Sequence, residues 1–99
     1  MIVRYQVIRS DTFSRWFRGL RDKQVQARVA VRIRRVEEGN LGDHGSVGGG
    51  VSELRINVGP GYRVYYTIRR NTVFILLCGG DKSSQQRDIR RAQQMANEL

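Results

Sequence analysis

The amino-acid sequence predicts an α+β fold in the order strand, helix hairpin, three-strand antiparallel meander and C-terminal helix. Three observations carry this reading. Leu54, Ile56 and Val58 alternate with Glu53, Arg55 and Asn57, and Tyr62, Val64, Tyr66 and Ile68 alternate with Arg63, Tyr65, Thr67 and Arg69; a period of two marks half-buried strands. Phe13, Trp16, Phe17 and Leu20, then Val25, Val29, Ile33 and Val36, recur at helical spacing upstream. Gly59-Pro60-Gly61 and Arg70-Asn71 punctuate the alternating region, glycine supplying positive φ and proline a preset one.

In chain order, Ile2 to Ile8 is a short run of β-branched and aromatic residues that reads as a first strand joining the later three. Asp11 offers an N-cap to the first helix, whose aromatic stripe faces a core. Asp22 caps the second helix; Arg28, Arg32 and Arg35 line its wet face, and Gly39 stops it. From Asn40 to Gly50 glycine and small polar residues predict a mobile loop. That loop is no phosphate-binding P-loop, because no Lys and Ser or Thr follow its glycines at the required spacing. His44, the one histidine, reads as an exposed loop residue. Val73 to Cys78 is apolar without alternation, as suits a strand covered on both faces. Ser83 with Gln86 resembles a capping box, and Ile89, Ala92, Ala96 and Leu99 form the narrow stripe of a last helix. Asp81 reads as a turn or cap residue.

Composition bounds the function. Ninety-nine residues suit one domain spanning 1–99, with a modest core. One cysteine excludes an internal disulfide, and no apolar run suits a signal peptide or membrane span, so the chain reads as cytoplasmic. Cys78 reads as a buried small hydrophobe, and one His with one distant Cys makes no zinc spacing. No cofactor or metal is called for. Lys plus Arg number 18 against 9 acids, net +9, mostly through arginine. Such a field favours polyanions: nucleic acid or an acidic protein.

Strand register gathers the candidate site. Centring the first hairpin on Pro60 sets Asn57 opposite Arg63 and Arg55 opposite Tyr65, all on one face. Arg55 and Arg63 are then diagonal neighbours able to hold one phosphate or carboxylate. Centring the second hairpin between Arg70 and Asn71 pairs Arg63 with Cys78 and brings Lys82 to the same end of the sheet, where the last helix aims its N-terminus.

Several blocks carry a resemblance over nearly the whole chain: Phe13-x-x-Trp16, Gly39-Asn40-x-Gly42-Asp43, Val51-Ser52-Glu53-Leu54-Arg55-Ile56, Gly59-Pro60-Gly61-Tyr62-Arg63-Val64-Tyr65 and Leu77-Cys78-Gly79-Gly80-Asp81-Lys82-Ser83-Ser84-Gln85. On these the chain resembles the RelE/ParE/HigB superfamily of toxin–antitoxin toxins, in particular the branch of addiction-module killer proteins. The resemblance implies a toxin that cleaves messenger RNA in the ribosomal decoding site and is neutralised by a cognate antitoxin. It also implies that operator DNA is reached only through the antitoxin. By position, Arg55 and Arg63 match arginines that the superfamily uses on phosphate, and Lys82 matches a basic position after the last strand. The chain lacks the Lys pair with a later Tyr, and the His with an Asp-Tyr-His set, of the better-studied endonucleases.

The chemistry needs no metal, since the 2′-hydroxyl of RNA attacks its own adjacent phosphate. Arg55 and Arg63 suit charge stabilisation. Lys82, set beside guanidinium neighbours, suits proton transfer. Tyr65 suits base stacking or the acid step, with Asn57, Ser83 and Ser84 as further substrate contacts. Arg28, Arg32 and Arg35 would dock on ribosomal RNA. An acidic antitoxin helix or strand laid across the sheet would block the site. The second reading is a ParE-like inhibitor that binds DNA gyrase and cleaves nothing.

Overall fold

The computed structural model describes residues 4–99. Its elements are β1 (Gln6–Arg9), α1 (Asp11–Arg18), α2 (Lys23–Glu37), β2 (His44–Gly48), β3 (Val51–Ile56), β4 (Tyr62–Arg69), β5 (Val73–Asp81), a 3₁₀ turn (Lys82–Ser84) and α3 (Gln85–Asn97). The five strands form one sheet in the order β1-β5-β4-β3-β2, with β1 parallel to β5 and the other neighbours antiparallel. The α+β class and the order of helices hold. The sheet has one strand more than the sequence pattern predicts.

That strand is β2, which replaces the predicted loop. His44, Gly45 and Ser46 pair with Leu54, Glu53 and Ser52. Its glycines carry no side-chain pattern, so the ladder bonds to β3 make the strand where composition reads loop. Gly48, Gly49 and Gly50, all at positive φ, then turn the chain into β3. The predicted first strand is shorter than its apolar run; Ile2 and Val3 lie outside the described residues.

Helix boundaries follow local hydrogen bonding. Ser10 caps α1, one residue before the predicted Asp11: its hydroxyl accepts from Phe13 N at 3.0 Å and donates to Leu77 O at 2.7 Å. Asp22 caps α2 as predicted, accepting from Gln24 N at 2.9 Å. At the other end Gly39 N and Asn40 N donate to Val36 O and Arg35 O, and Gly39 takes φ of 92°, a Schellman stop. The predicted Ser83–Gln86 capping box is absent. Asp81 caps the 3₁₀ turn instead, accepting from Ser83 N at 2.8 Å, and so serves as the predicted cap residue.

Helices cover both faces of the sheet. On one, Phe13 of α1 and Val25, Val29, Ile33 and Val36 of α2 pack on Leu54, Ile56, Val64, Tyr66, Phe74 and Leu76. On the other, Ala92 and Ala96 of α3 pack on Val51, Tyr65, Leu77 and Cys78. Leu99 does not join that stripe; it is exposed. β5 lies between β1 and β4, as its unbroken apolar run predicts.

Both hairpin registers differ from the predicted ones. The first is centred on Gly59, not Pro60, so Arg55 faces Arg63 and Glu53 faces Tyr65. Gly61 N closes back on Val58 O at 3.1 Å, with φ positive at both Gly59 and Gly61, which spends five residues on the turn. In the second, Arg70 and Asn71 both adopt positive φ and Arg69 pairs with Val73. A bulge opposite Tyr65 and Tyr66 then slips the ladder, so Arg63 faces Gly80 and not Cys78. The bulge lets Leu77 and Cys78 both join the core under α3 while Leu76 serves the opposite one.

Candidate anion site on the central hairpin

The sequence puts an acid among the basic residues of β3, and burial makes that acid the centre of the site. Glu53 is only 3% exposed. A buried carboxylate needs cations or donors, and Glu53 has both: Arg55 Nε at 2.7 Å on Oε2, Arg63 Nε at 3.5 Å on Oε1, and Gln85 Nε2 at 3.4 Å on Oε1. Alternation in β3 sets Glu53 and Arg55 on one face, and pairing with β4 brings Arg63 directly opposite Arg55. Residues so placed have Cβ atoms about 5 Å apart. Glu53 thereby lies between the two guanidinium groups, hydrogen-bonded to Arg55 and within ion-pair distance of Arg63, whose buried Nε makes no hydrogen bond.

Each arginine is held differently. Arg55 also donates from Nη1 to Asp43 Oδ1 at 2.9 Å and to His44 O at 3.3 Å. Asp43 and then Glu53 raise its already high pKa. In return Arg55, with Asn57 assisting, holds the Asp43 carboxyl below its usual range. Arg55 lies across β2 because position 45 is glycine: a Cβ there would stand 2.5 Å from Arg55 Nη2. Arg63, its side chain 15% exposed, makes one further contact, Nη1 to Gly61 O at 3.4 Å. Its guanidinium borders a hollow of about 410 Å³ between the Asn57–Gly61 turn and Lys82. Lys82 is exposed on the 3₁₀ turn with no acidic partner among the described residues.

The structure therefore brings Arg55, Arg63, Lys82 and Asn57 to one end of the sheet. It does so with a register different from the predicted one, because a slip of two residues keeps every side chain on its face. Tyr65 shares that face but is 0% exposed under α3, which leaves no ring face for a base. Its hydroxyl has no hydrogen-bond partner, and burial pushes the phenol up. Ser83 and Ser84 belong to the turn: Ser83 Oγ donates to Asp81 Oδ1 and Ser84 Oγ to Asp88 Oδ2, each at 2.5 Å.

Of the α2 arginines, Arg28 and Arg35 are exposed, whereas Arg32 points inward. It donates to Leu41 O at 2.9 Å, Asp43 O at 3.0 Å and Arg55 O, tying the helix to the segment that carries Asp43. His44 Nδ1–H donates to Gly42 O at 2.8 Å, and its exposed ring is outside the Glu53 cluster. Cys78 is buried as predicted, its thiol pushed up to about 12 by burial and then by Asp88.

Asp43 escapes sequence reasoning, and Glu53 is read from the sequence only as a structural partner of Arg55, as the structure bears out. Glu53 had a signal, lying two residues from Arg55 on the same face, but nothing in a single strand shows that it also reaches Arg63. Asp43 had none, since only the unforeseen β2 carries it beside Arg55.

Two comparisons bear on this arrangement. The chain is 45% identical over 94 residues to an uncharacterized protein of Haemophilus influenzae (strain Rd), covering 95% of each. Residues 15–97 match the family described as phage derived protein Gp49-like (DUF891), a span that takes in α2, all of the hairpin site and α3. A match of that extent establishes that the chain belongs to the Gp49-like family, which falls in the group of addiction-module toxins.

Proposed function

We propose that the protein is the toxin of a type II toxin–antitoxin module of the RelE/ParE/HigB kind, acting as a ribosome-dependent endoribonuclease on messenger RNA. The observation that carries this reading is the Glu53 pair: one buried carboxylate aligns Arg55 and Arg63 across adjacent strands, beside a hollow rimmed by Lys82. Two guanidinium groups so aligned match a phosphate that gains charge in its transition state. In the proposed step the 2′-oxygen bonds to phosphorus and the bond to the 5′-oxygen breaks, leaving a 2′,3′-cyclic phosphate and a 5′-hydroxyl. Arg55 and Arg63 bear the added charge, and Lys82 gives its proton to the departing 5′-oxygen. Glu53 is a positioning residue, because both its oxygens are engaged. The proton of the 2′-hydroxyl leaves to a group on the ribosome, which accounts for dependence on it. The partners on this reading are the translating ribosome with its message and an acidic antitoxin.

Primer extension on messages translated in a purified system tests it. Wild-type protein is expected to cut at codon-spaced positions only when ribosomes are present. Removing one charge-stabilising donor costs ~3–4 kcal/mol, so Arg63→Ala should cut about a hundred- to a thousandfold more slowly, and Lys82→Ala should also lose cutting. Intact messages at doses that stop growth would overturn the reading; inhibition of gyrase supercoiling by both variants would replace it with inhibition by binding.

A further inference from the structure

β1 pairs with β5 only from Val73 to Leu76, so Gly79, Gly80 and Asp81 have β4 on one side and, among the described residues, no strand on the other. A cavity of about 580 Å³ wraps this free edge, between the C-terminal end of α1 and the first turns of α3, and shares no lining residue with the hollow beside Arg63. Because side chains alternate along a strand, the paired glycines admit Trp16 on one side of the edge and Asp88 on the other. Asp88 is the anomaly. It is 6% exposed, yet it takes one neutral donor, Ser84 Oγ at 2.5 Å, and pairs with no cation among the described residues. A buried carboxylate in that state calls for further N–H donors. Three exposed arginines, Arg21, Arg87 and Arg91, stand around the cavity, also without acidic partners among the described residues. The other acids there, Asp22 and Asp81, are spent on capping α2 and the 3₁₀ turn.

These features call for an occupant with N–H donors at one end, negative charge at the other and a flat apolar body between. We infer that the cavity binds a guanine nucleotide, its base against Trp16 and Tyr62 with the Watson–Crick edge on Asp88, and its phosphate on Arg87 and Arg91. Guanine is singled out because its N1–H and N2–H₂ groups stand side by side and donate to both oxygens of one carboxylate, whereas the other bases offer a donor at one atom of that edge. Its 6-oxo group takes an N–H from the free edge of β5, whose backbone groups no strand pairs there. Arg87 and Arg91, four residues apart on α3, have Cβ atoms about 5–6 Å apart and so can share one phosphate. A basic peptide would satisfy Asp88 but meet three arginines. The same chemistry is offered by a free guanosine monophosphate and by a guanine within an RNA strand. The inference does not rest on the nuclease reading: binding is measured without ribosomes or cutting, so either can fail alone.

Guanosine 5′-monophosphate is titrated into the full chain by calorimetry, with the emission of Trp16, the single tryptophan, followed in parallel. Saturable binding with a change in emission is expected, about tenfold or more tighter than for adenosine 5′-monophosphate or for inosine 5′-monophosphate, which lacks the 2-amino group. Asp88→Asn, which keeps the side chain's shape, should erase that preference. Arg87→Ala with Arg91→Ala, both exposed, should lower the nucleotide to the affinity of guanosine while leaving guanine preferred over hypoxanthine. Circular dichroism checks that each variant folds; should Asp88→Asn not fold, the arginine pair and the inosine comparison still decide. The oligonucleotides UUGUU and UUAUU separate the two sources. Tighter binding of UUGUU than of the monophosphate assigns the guanine to an RNA strand, and its failure to bind where the monophosphate binds assigns it to a free nucleotide. Absence of binding by both, equal binding of the adenine ligands, unchanged Trp16 emission on saturation or a guanine preference that survives Asp88→Asn would overturn the inference.

Discussion

A methyl group at Gly80 would stand 2.0 Å from the Asp88 carboxylate, and one at Gly79 would stand 2.4 Å from the Trp16 ring. The paired glycines of β5 thus make room on opposite faces, for an indole from α1 and for a nearly buried acid from α3. Asp88 is 6% exposed and takes the Ser84 hydroxyl, so it cannot swing out without breaking the junction between the 3₁₀ turn and α3. Gly80→Ala should therefore cost about 1–3 kcal/mol as an overpacked site, read from urea melts. Gly79→Ala should also shift the emission of Trp16, the single tryptophan; an unchanged spectrum and midpoint would show that α1 yields freely. The Gly79-Gly80-Asp81 motif stands out in the sequence, but its packing reason shows only in the structure. Arg55, Arg63 and Lys82 stand out as cations in the linear pattern, Arg55 with Glu53 two residues away on the same face. The reach of Glu53 to a second arginine shows only when a neighbouring strand brings Arg63 to it.

At the scale of elements, legibility follows side-chain pattern. α2 is plain in the sequence because Val25, Val29, Ile33 and Val36 are all buried and Asp22 and Gly39 mark its ends. β2 is invisible because two of its five residues are glycine and two more are His and Ser, so its pairing rests on backbone bonds that composition does not encode. Yet that strand sets the candidate site: Arg55 crosses it at Gly45 and reaches Asp43 just before it. The atom that a Cβ at position 45 would meet is the far end of a flexible side chain, so the fold can absorb Gly45→Ala while Arg55 cannot keep its place. The variant should melt within about 1 kcal/mol of wild type yet lose cutting of ribosome-bound message to about the extent that Arg55→Ala does. Full activity with Arg55 displaced, as seen by loss of its ion pairs in a crystal structure, would remove Arg55 from the chemistry. The second hairpin taught the complementary lesson. Its bulge is set by the need of Leu77 and Cys78 to face α3 together, a demand of packing that period-two counting cannot foresee.

At the scale of the molecule, the sheet is a shared wall between two unequal cores, and α3 alone closes the smaller one. It approaches closely because Ala92 and Ala96 are its buried contacts, and it covers Val51, Tyr65, Leu77 and Cys78. Polar ties reinforce it at both ends: Gln85 reaches Glu53 at 3.4 Å, and Arg69 donates to Ala96 O at 2.7 Å. Burying each large apolar side chain contributes about 1.5–3 kcal/mol, so uncovering these four forfeits roughly 6–12 kcal/mol. That is comparable with the whole stability of a small domain, about 5–15 kcal/mol. A chain ending at Ser84, which keeps Arg55, Arg63 and Lys82, should therefore fail to fold on its own rather than persist as an open sheet with a working site. Circular dichroism and limited proteolysis of that truncation should find no cooperative transition, and adding a peptide of residues 85–99 in trans should restore one. A truncated chain that melts cooperatively and still cuts would show that α3 is an accessory and that the larger core alone holds the two arginines in place.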